Sequence, residues 1–299
     1  MRVLVSGASG LLGMALTAQL RAAGHAVDGL CHRSAGTLTR AADLLDPRAL
    51  AALDSDPWDA VVNLAAYRSP DQCEAGRKAA WRLNAEMPGE LAALAARRGA
   101  RCIHISTDYV FPGTHPPYSE SDPADPVNYY GVTKAASERV VAEADPAAVI
   151  LRIPALYGNP PSPLLSPLLE EGLLAARSKT AIDVDDRIVR HPTWTEDIAC
   201  VIVFLLERSD VTGVLQASAP EAVTRYGWTL AIAGILGLSS AHLRPVKVPS
   251  CNVRAVRPVD AHLSVERLRA LGGPVPRGFS VVLPDLLRAR LARETPVTA

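Results

Sequence analysis

The sequence lacks any long apolar run, any surplus of one charge and any cysteine framework. Its longest unbroken apolar stretch, Ile198 to Leu206, is nine residues, far short of the ~20 that a membrane-spanning helix needs. Thirty-one basic side chains balance thirty-one acidic ones, so there is no electrostatic footprint for nucleic acid or an anionic membrane. The five cysteines (Cys31, Cys73, Cys102, Cys200, Cys251) are scattered, odd in number and show no CxxC or Cys/His spacing. That argues against a disulfide scaffold and against a zinc site. Met-Arg at the start reaches a glycine-rich turn within six residues, unlike a signal peptide. A cytoplasmic protein with no metal, no nucleic acid and no membrane contact is expected.

What is present is an ordinary globular composition, 48% hydrophobic over 299 residues, enough for a sizeable core and about two domains of ~100–200 residues. Apolar runs of strand length alternate with helical patterns. Val3-Leu4-Val5 is followed by Gly7, and Leu12, Leu16 and Leu20 then mark one face of a helix closed by Gly24. Further strands are read at 26–31, 60–64, 102–106 and 149–153, with helices at 88–98 and 129–143. Strands separated by helices imply an α/β, doubly wound parallel sheet covered on both faces. After Pro154 the character changes: Pro160, Pro161, Pro163 and Pro167 crowd one stretch. Helices are expected at 168–176, 197–207 and 228–236, a strand at Ile182 and Val184, and short helices from 253 to 293 before a frayed 294–299. The expected organisation is a dinucleotide-binding domain over 1–154, with 186–222 returning to it. A smaller substrate-binding region covers 155–185 and 223–299.

Gly7-Ala8-Ser9-Gly10-Leu11-Leu12-Gly13 follows a strand and opens a helix, the context in which glycines let backbone approach a pyrophosphate. The helix N-terminus then offers unpaired N–H groups and a partial positive charge to phosphates. An enzyme using NAD would carry a carboxylate at the end of the second strand, near the adenosine ribose. Here that stretch reads Cys31-His32-Arg33-Ser34, with Asp28 too early in the strand. Arg33, helped by His32 or Ser34, suits a 2′-phosphate instead, so NADPH/NADP is the expected cofactor.

Tyr130 and Lys134 stand four residues apart on one helix face. With seven tyrosines and four lysines, chance gives roughly 0.1 such pairs. An ammonium beside a phenol can stabilise its phenolate and so make it a proton donor or acceptor near neutral pH. Tyr129 has Thr133 at the same spacing and lacks that partner. Ser106 and Thr107 end the fourth strand, where ligands sit in such sheets, and a hydroxyl there can hydrogen-bond a carbonyl oxygen.

These residues, with Ser106 to Phe111 and Asn128 to Lys134 read as continuous motifs, resemble the extended short-chain dehydrogenases/reductases, and more narrowly the dTDP-4-dehydrorhamnose reductase family. Asn63 to Tyr67, Asn84, Pro192-Thr193 with Asp197, and Arg257-Pro258 extend the similarity over most of the chain. The resemblance implies a Rossmann-type sheet with a smaller C-terminal substrate-binding region, and NADPH as hydride donor to a nucleotide-linked 4-keto-6-deoxysugar. It implies Tyr130 as proton donor, Lys134 on the nicotinamide ribose and Thr107 on the carbonyl. Cofactor contacts would come from Gly7, Ser9, Gly10, Leu11, Leu12, Gly13, Asp43, Leu44, Leu64, Ala65, Ala66, Tyr67, Asn84, Ser106 and Ile153. Substrate contacts would come from Asp108, Val110, Phe111 and Arg257. The sequence departs from that family at Arg152-Ile153-Pro154-Ala155, where its sugar reductases carry Arg-Thr-Ser-Trp. There, and at Ser239 to Pro245, the chain is similar to the regulatory beta subunit of methionine adenosyltransferase. That similarity implies a non-catalytic NADP-binding subunit with a protein partner, and a homodimer is compatible with either. A short-chain reductase or epimerase of another carbonyl compound is the third reading.

His191, His104, Trp194 and Trp228 read as packing residues, and Asp183, Asp185 and Asp186 as a solvated turn. Replacing Arg33 by Asp is expected to weaken NADP binding relative to NAD. Titration of both dinucleotides by fluorescence checks this, and an unchanged preference would sink the cofactor assignment.

Overall fold

Val3, Leu4 and Val5 are completely buried on an interior strand of a seven-stranded, wholly parallel sheet. The computed structural model describes residues 1–32, 39–158, 167–247 and 254–294. Arg33, Ser34, Pro160, Pro161, Pro163, Cys251 and 295–299 lie outside them. The strands are β1 (Arg2–Ser6), β2 (Ala26–Cys31), β3 (Thr39–Ala41), β4 (Ala60–Asn63), β5 (Arg101–Thr107), β6 (Val149–Ile153), β7 (Leu156–Tyr157), β8 (Ile182–Asp185), β9 (Thr193–Trp194), β10 (Gly213–Gln216) and β11 (Leu243–Val246). The main sheet runs β10-β6-β5-β4-β1-β2-β3. The chain goes outward from β1 in one direction, then restarts at β4 and goes outward in the other. The crevice between the C-terminal ends of β1 and β4 is therefore the place where such a sheet binds ligands.

The helices are α1 (Leu11–Ala22), α2 (Pro47–Ser55), α3 (Pro70–Ala75), α4 (Arg77–Trp81), α5 (Met87–Arg98), α6 (Tyr129–Ala144), α7 (Pro167–Ala176), α8 (Thr195–Leu206), α9 (Arg225–Ile235), α10 (Glu266–Ala270) and α11 (Phe279–Glu294). Side chains alternate across a strand, so β1 serves both faces. Val3 and Val5 join Leu12, Leu16 and Leu20 of α1 and Ile198, Ile202 and Leu205 of α8 on one side. Leu4 joins Leu53 of α2, Leu91 and Leu94 of α5 and Val141 of α6 on the other. The leucine stripe legible in the sequence is the buried face of α1, and Gly24 closes that helix at φ +80°.

Short elements escaped the sequence pattern. β3, β7 and β9 have two or three residues each, too few to show a period. α4 continues through a π-helical turn (Arg82–Glu86) into α5, which breaks the helical spacing there. Beyond the main sheet, β8 pairs with β11 and β7 with β9, both parallel. Leu169 and Leu173 of α7, Trp228 and Ile232 of α9 and Leu283 and Leu287 of α11 share a separate apolar cluster with Tyr157. Trp228 packs there, and its indole N–H donates to the Leu168 carbonyl at 3.0 Å.

One buried ion pair ties α6 to the sheet. Arg152 Nε and Nη2 donate to the two Glu138 oxygens at 2.9 and 2.8 Å, and the Ser106 hydroxyl donates to Glu138 Oε1 at 2.5 Å. Truncating one partner leaves the other charge buried and unpaired. Glu138→Ala is expected to lower the unfolding free energy by about 3–5 kcal/mol, read from urea denaturation.

Candidate functional site

The turn after β1 is built from glycines because backbone crowds it. Gly7 has φ +69°, and its N-terminal neighbour Ser6 is tied to the start of the β4 loop. A Cβ on Gly13 would lie 2.3 Å from the Gly7 carbonyl oxygen and 2.6 Å from Ala8 Cα, contacts that no side chain tolerates. Gly10 precedes α1 without a side-chain cap, so the first N–H groups of the helix stay available to an anion. This turn opens a cleft of about 630 Å³, within the usual range for cofactor and substrate sites.

Most of the residues singled out from the sequence line that cleft. Gly7, Ser9, Gly10, Leu11, Leu12 and Gly13 come from the turn, His32 from the end of β2, and Asp43 and Leu44 from the loop after β3. Leu64, Ala65, Ala66 and Tyr67 follow β4, Ser106, Thr107 and Asp108 end β5, and Tyr130, Lys134 and Ile153 complete the wall. Glycines that a Cβ would disrupt, a capless helix start and a cleft of this size form a cradle that fits a dinucleotide.

Others are not brought to the cleft. Asn84 sits fully buried in the π-helical turn. Its amide accepts from the Tyr67 N–H at 2.8 Å and donates to the Tyr67 carbonyl at 2.9 Å, so it holds the cleft-side loop from behind. Val110 and Phe111 are corrected from substrate contacts to core residues: both are completely buried with Tyr118, Ala261 and Leu263. The Phe111 ring stacks on Tyr118 at 4.3 Å. Arg257 does not line the cleft either, because its guanidinium is clamped on both Asp71 oxygens, with the closer contact at 2.9 Å. Ser106 lines the cleft, but its hydroxyl donates to Glu138.

Local geometry explains the rest. The Asn128 side chain caps α6 by accepting from the Gly131 N–H at 2.9 Å, which fixes the start of the helix carrying Tyr130 and Lys134. A Cβ on Gly131 would lie 2.2 Å from the Tyr109 carbonyl oxygen, so this glycine lets α6 lie against the 3₁₀ turn Asp108–Val110. The Thr107 hydroxyl donates to Asp108 Oδ1 at 2.9 Å. Burial pushes the Tyr130 phenol above its ordinary range, and a hydrogen bond with Thr107 partly offsets it. Burial also takes Lys134 down to about 7, against the pull of Glu138. The same cause raises Asp108 to about 6, opposed by Arg190 and Thr107.

Sequence reasoning did not assign Tyr109 to the cleft, which it also lines; Pro154 and Ala155, singled out as a departure from the family, line it too. It named Arg257 but missed two further arginines, Arg190 and Arg225, that act on the same side chain, Tyr109. Arg190 lies over the Tyr109 ring at 5.5 Å, and the charges of Arg190, Arg257 and Arg225 all act on the Tyr109 phenol. They come from separate segments, so no spacing announces them. His104 was read as packing, yet its Nε2 lies 3.1 Å from Lys134 Nζ.

Residues 1–291 match the family model of the RmlD substrate binding domain. The chain belongs to the RmlD substrate binding domain family. Methionine adenosyltransferase 2 subunit beta of Rattus norvegicus is 37% identical over 283 residues, covering 91% of this chain and 82% of that protein. A protein of Streptomyces antibioticus named probable dTDP-4,6-dihydroxy-2-methyloxan-3-one 4-ketoreductase is 34% identical, covering 100% of this chain and 98% of its own. The dTDP-4-dehydrorhamnose reductase of Bacillus anthracis, solved in complex with NADP, superposes with a TM-score of 0.86. It is 23% identical and covers 96% of this chain and 99% of its own, a likeness of fold. This RmlD-family chain thus has a Rossmann-type sheet that relatives use to bind NADP or NAD. Among its described residues, no helix is long and apolar enough to cross a membrane.

In this RmlD-family chain, burial pushes the Asp108 carboxyl up to about 6, above the ordinary aspartate value of 3.8. Its charge therefore costs stability above pH 6, and the cost fades as pH falls through 6 toward 3.8. Asp108→Asn is expected to gain up to about 3 kcal/mol at pH near 8 and nothing near pH 4. Urea denaturation at both pH values checks this; an equal change at both contradicts it.

Proposed function

We propose that this RmlD-family protein is an NADPH-dependent reductase of a nucleotide-linked 4-keto-6-deoxysugar, with Tyr130 as proton donor. The observation that carries the reading is the convergence of Thr107, Tyr130 and Lys134 on the cleft opened by the glycine turn. Bound NADPH would supply the hydride to the sugar carbonyl. Gly7, Gly10 and Gly13 let the backbone approach the pyrophosphate, Leu64 to Tyr67 flank the dinucleotide, and Lys134 holds the ribose beside the nicotinamide. The Thr107 hydroxyl turns from Asp108 to donate to the carbonyl oxygen. Tyr130, whose phenol is held above its ordinary range, stays protonated at neutral pH and gives its proton to the alkoxide as it forms. The Lys134 ammonium then stabilises the phenolate left behind.

The arginines around Tyr109 support an anionic substrate next to Tyr130, whose ring meets Tyr109 edge-on at 5.8 Å. Arg190 is the candidate for the diphosphate, and Arg225 and Arg257 join it if they release Glu171 and Asp71. The name and near-complete coverage of the Streptomyces relative favour the same substrate class. Under this reading residues 1–154 and 186–222 hold the cofactor, and 155–185 with 223–299 hold the sugar. NADP preference rests on Arg33 and Ser34 after His32.

A second reading, an NADP-binding subunit that regulates methionine adenosyltransferase, is favoured by the 37% identity to the rat subunit beta. Pro154 and Ala155 in the cleft wall, where sugar reductases of the family carry an aromatic, point the same way. Loss of reduced-nicotinamide absorbance with dTDP-4-keto-6-deoxy-L-mannose separates the two. Turnover is expected, and Tyr130→Phe should cut it by about 10²–10⁴-fold while still binding NADPH. Tight NADPH binding without turnover, together with capture of a methionine adenosyltransferase catalytic subunit, would favour the regulatory reading.

A further inference from the structure

The buried polar side chains between the glycine turn and Lys134 form one hydrogen-bonded chain, and that chain has a direction. The Ser6 hydroxyl donates to Asn63 Oδ1 at 2.6 Å and accepts the backbone N–H groups of Leu64 and Ala65 at 3.1 and 3.2 Å. Asn63 Oδ1 also faces the Ala65 N–H at 3.3 Å. The amide oxygen is thereby committed, and its NH₂ group faces His104 Nδ1 at 3.2 Å. Nδ1 is the acceptor of the ring, so a neutral His104 carries its proton on Nε2.

Nε2 stands 2.9 Å from Ser137 Oγ and 3.1 Å from Lys134 Nζ. Ser137 spends its own hydrogen on the Lys134 carbonyl oxygen at 2.6 Å, so its oxygen is free to accept from Nε2. Ser6, Asn63, His104, Lys134 and Ser137 are all buried, so water does not dilute this pattern. Nε2 carries one hydrogen, shared between Ser137 Oγ and Lys134 Nζ, and no lone pair; a lysine ammonium has three donors and no acceptor, so the ring offers it nothing to donate to. The neutral amine has a lone pair that can accept Nε2–H.

We propose that His104 is a positioning residue for Lys134, presenting an N–H to Nζ that favours the neutral amine over the ammonium. The other groups around Nζ are few. Glu138 on α6 pulls the opposite way, and it is itself held by Arg152 of β6 and Ser106 of β5. Tyr130 lies one turn away, with Asp108 and Cys73 of α3 acting on its phenol. Burial and Lys134 keep His104 neutral, as the tautomer requires. The meaning for catalysis rests on the reductase reading. A Lys134 balanced between its two forms can return a proton to the Tyr130 phenolate: its N–H breaks, the phenol O–H forms, and the amine accepts Nε2–H until water reprotonates it.

The chain has only four lysines, Lys78, Lys134, Lys179 and Lys247, so isotope-labelled lysine gives a readable NMR titration, with Lys134 assigned by its loss in Lys134→Arg. His104→Phe is expected to move the Lys134 midpoint up by about half a pH unit or more. His104→Gln, whose amide can accept from Asn63 and donate onward, restores it. An unmoved or lowered midpoint in the Phe variant overturns the proposal, since an acceptor ring would have been supporting the ammonium. Nitrogen NMR of His104 in the unmodified protein decides the matter even if the Phe variant does not fold. A protonated Nε2 with bare Nδ1 is expected, and the reverse tautomer refutes it. Neither readout needs substrate, so a moved midpoint without turnover would reject the reductase reading and leave His104's role standing.

Discussion

The close backbone approach at the end of β1 is the constraint on which the site depends. With Gly13 against the Gly7 carbonyl and Gly7 against the backbone of Leu64 and Ala65, α1 starts almost on top of the β1 and β4 ends. Three things follow from that one packing. The capless start of α1 faces the crevice, the loop after β4 becomes its second wall, and Ser6 comes within reach of Asn63. Larger residues at Gly13 would push the helix off the sheet and separate groups that must meet across it.

From that turn to Lys134 the site is joined by side chains from β1, β4, β5 and α6, and it is braced on the far side by Glu138 and Arg152. Lys134 thus has polar neighbours of two kinds. One is a carboxylate already engaged with a guanidinium and a hydroxyl; the other is an imidazole oriented by an amide. Tyr130, on the same helix, faces the cleft, where burial keeps its proton on. The glycine turn, Tyr130 and Lys134 are therefore parts of one connected arrangement at the sheet's C-terminal edge.

The features legible in the sequence were those with a period or a local motif. Leu12, Leu16 and Leu20 announced α1, Val149 to Ile153 a buried strand, and the Tyr130/Lys134 spacing a shared helix face. Motif resemblance extended this to Thr107 and to the cleft wall at Leu64 to Tyr67. The failures share a cause: they depend on contacts between distant segments. Val110 and Phe111 sit in a recognisable motif, but Tyr118 and Leu263 cover them. Arg257 carries the right charge and is held by Asp71. The Arg190, Arg225 and Tyr109 grouping spans more than a hundred residues of sequence, and His104 looks like any apolar-strand histidine until α6 is laid over it.

The π-helical turn at Arg82–Glu86 shows why a helix can satisfy two surfaces that do not line up. A single extra residue in a turn rotates everything beyond it by about 100° relative to an uninterrupted helix. Before the turn, Ala80 of α4 is buried; after it, Leu91 and Leu94 of α5 face the sheet. Asn84 lies at the joint, aimed at Tyr67. Shortening this segment by one residue would leave a longer regular helix and remove the latch on the loop, so the irregularity acts as a gear between the helix's two faces.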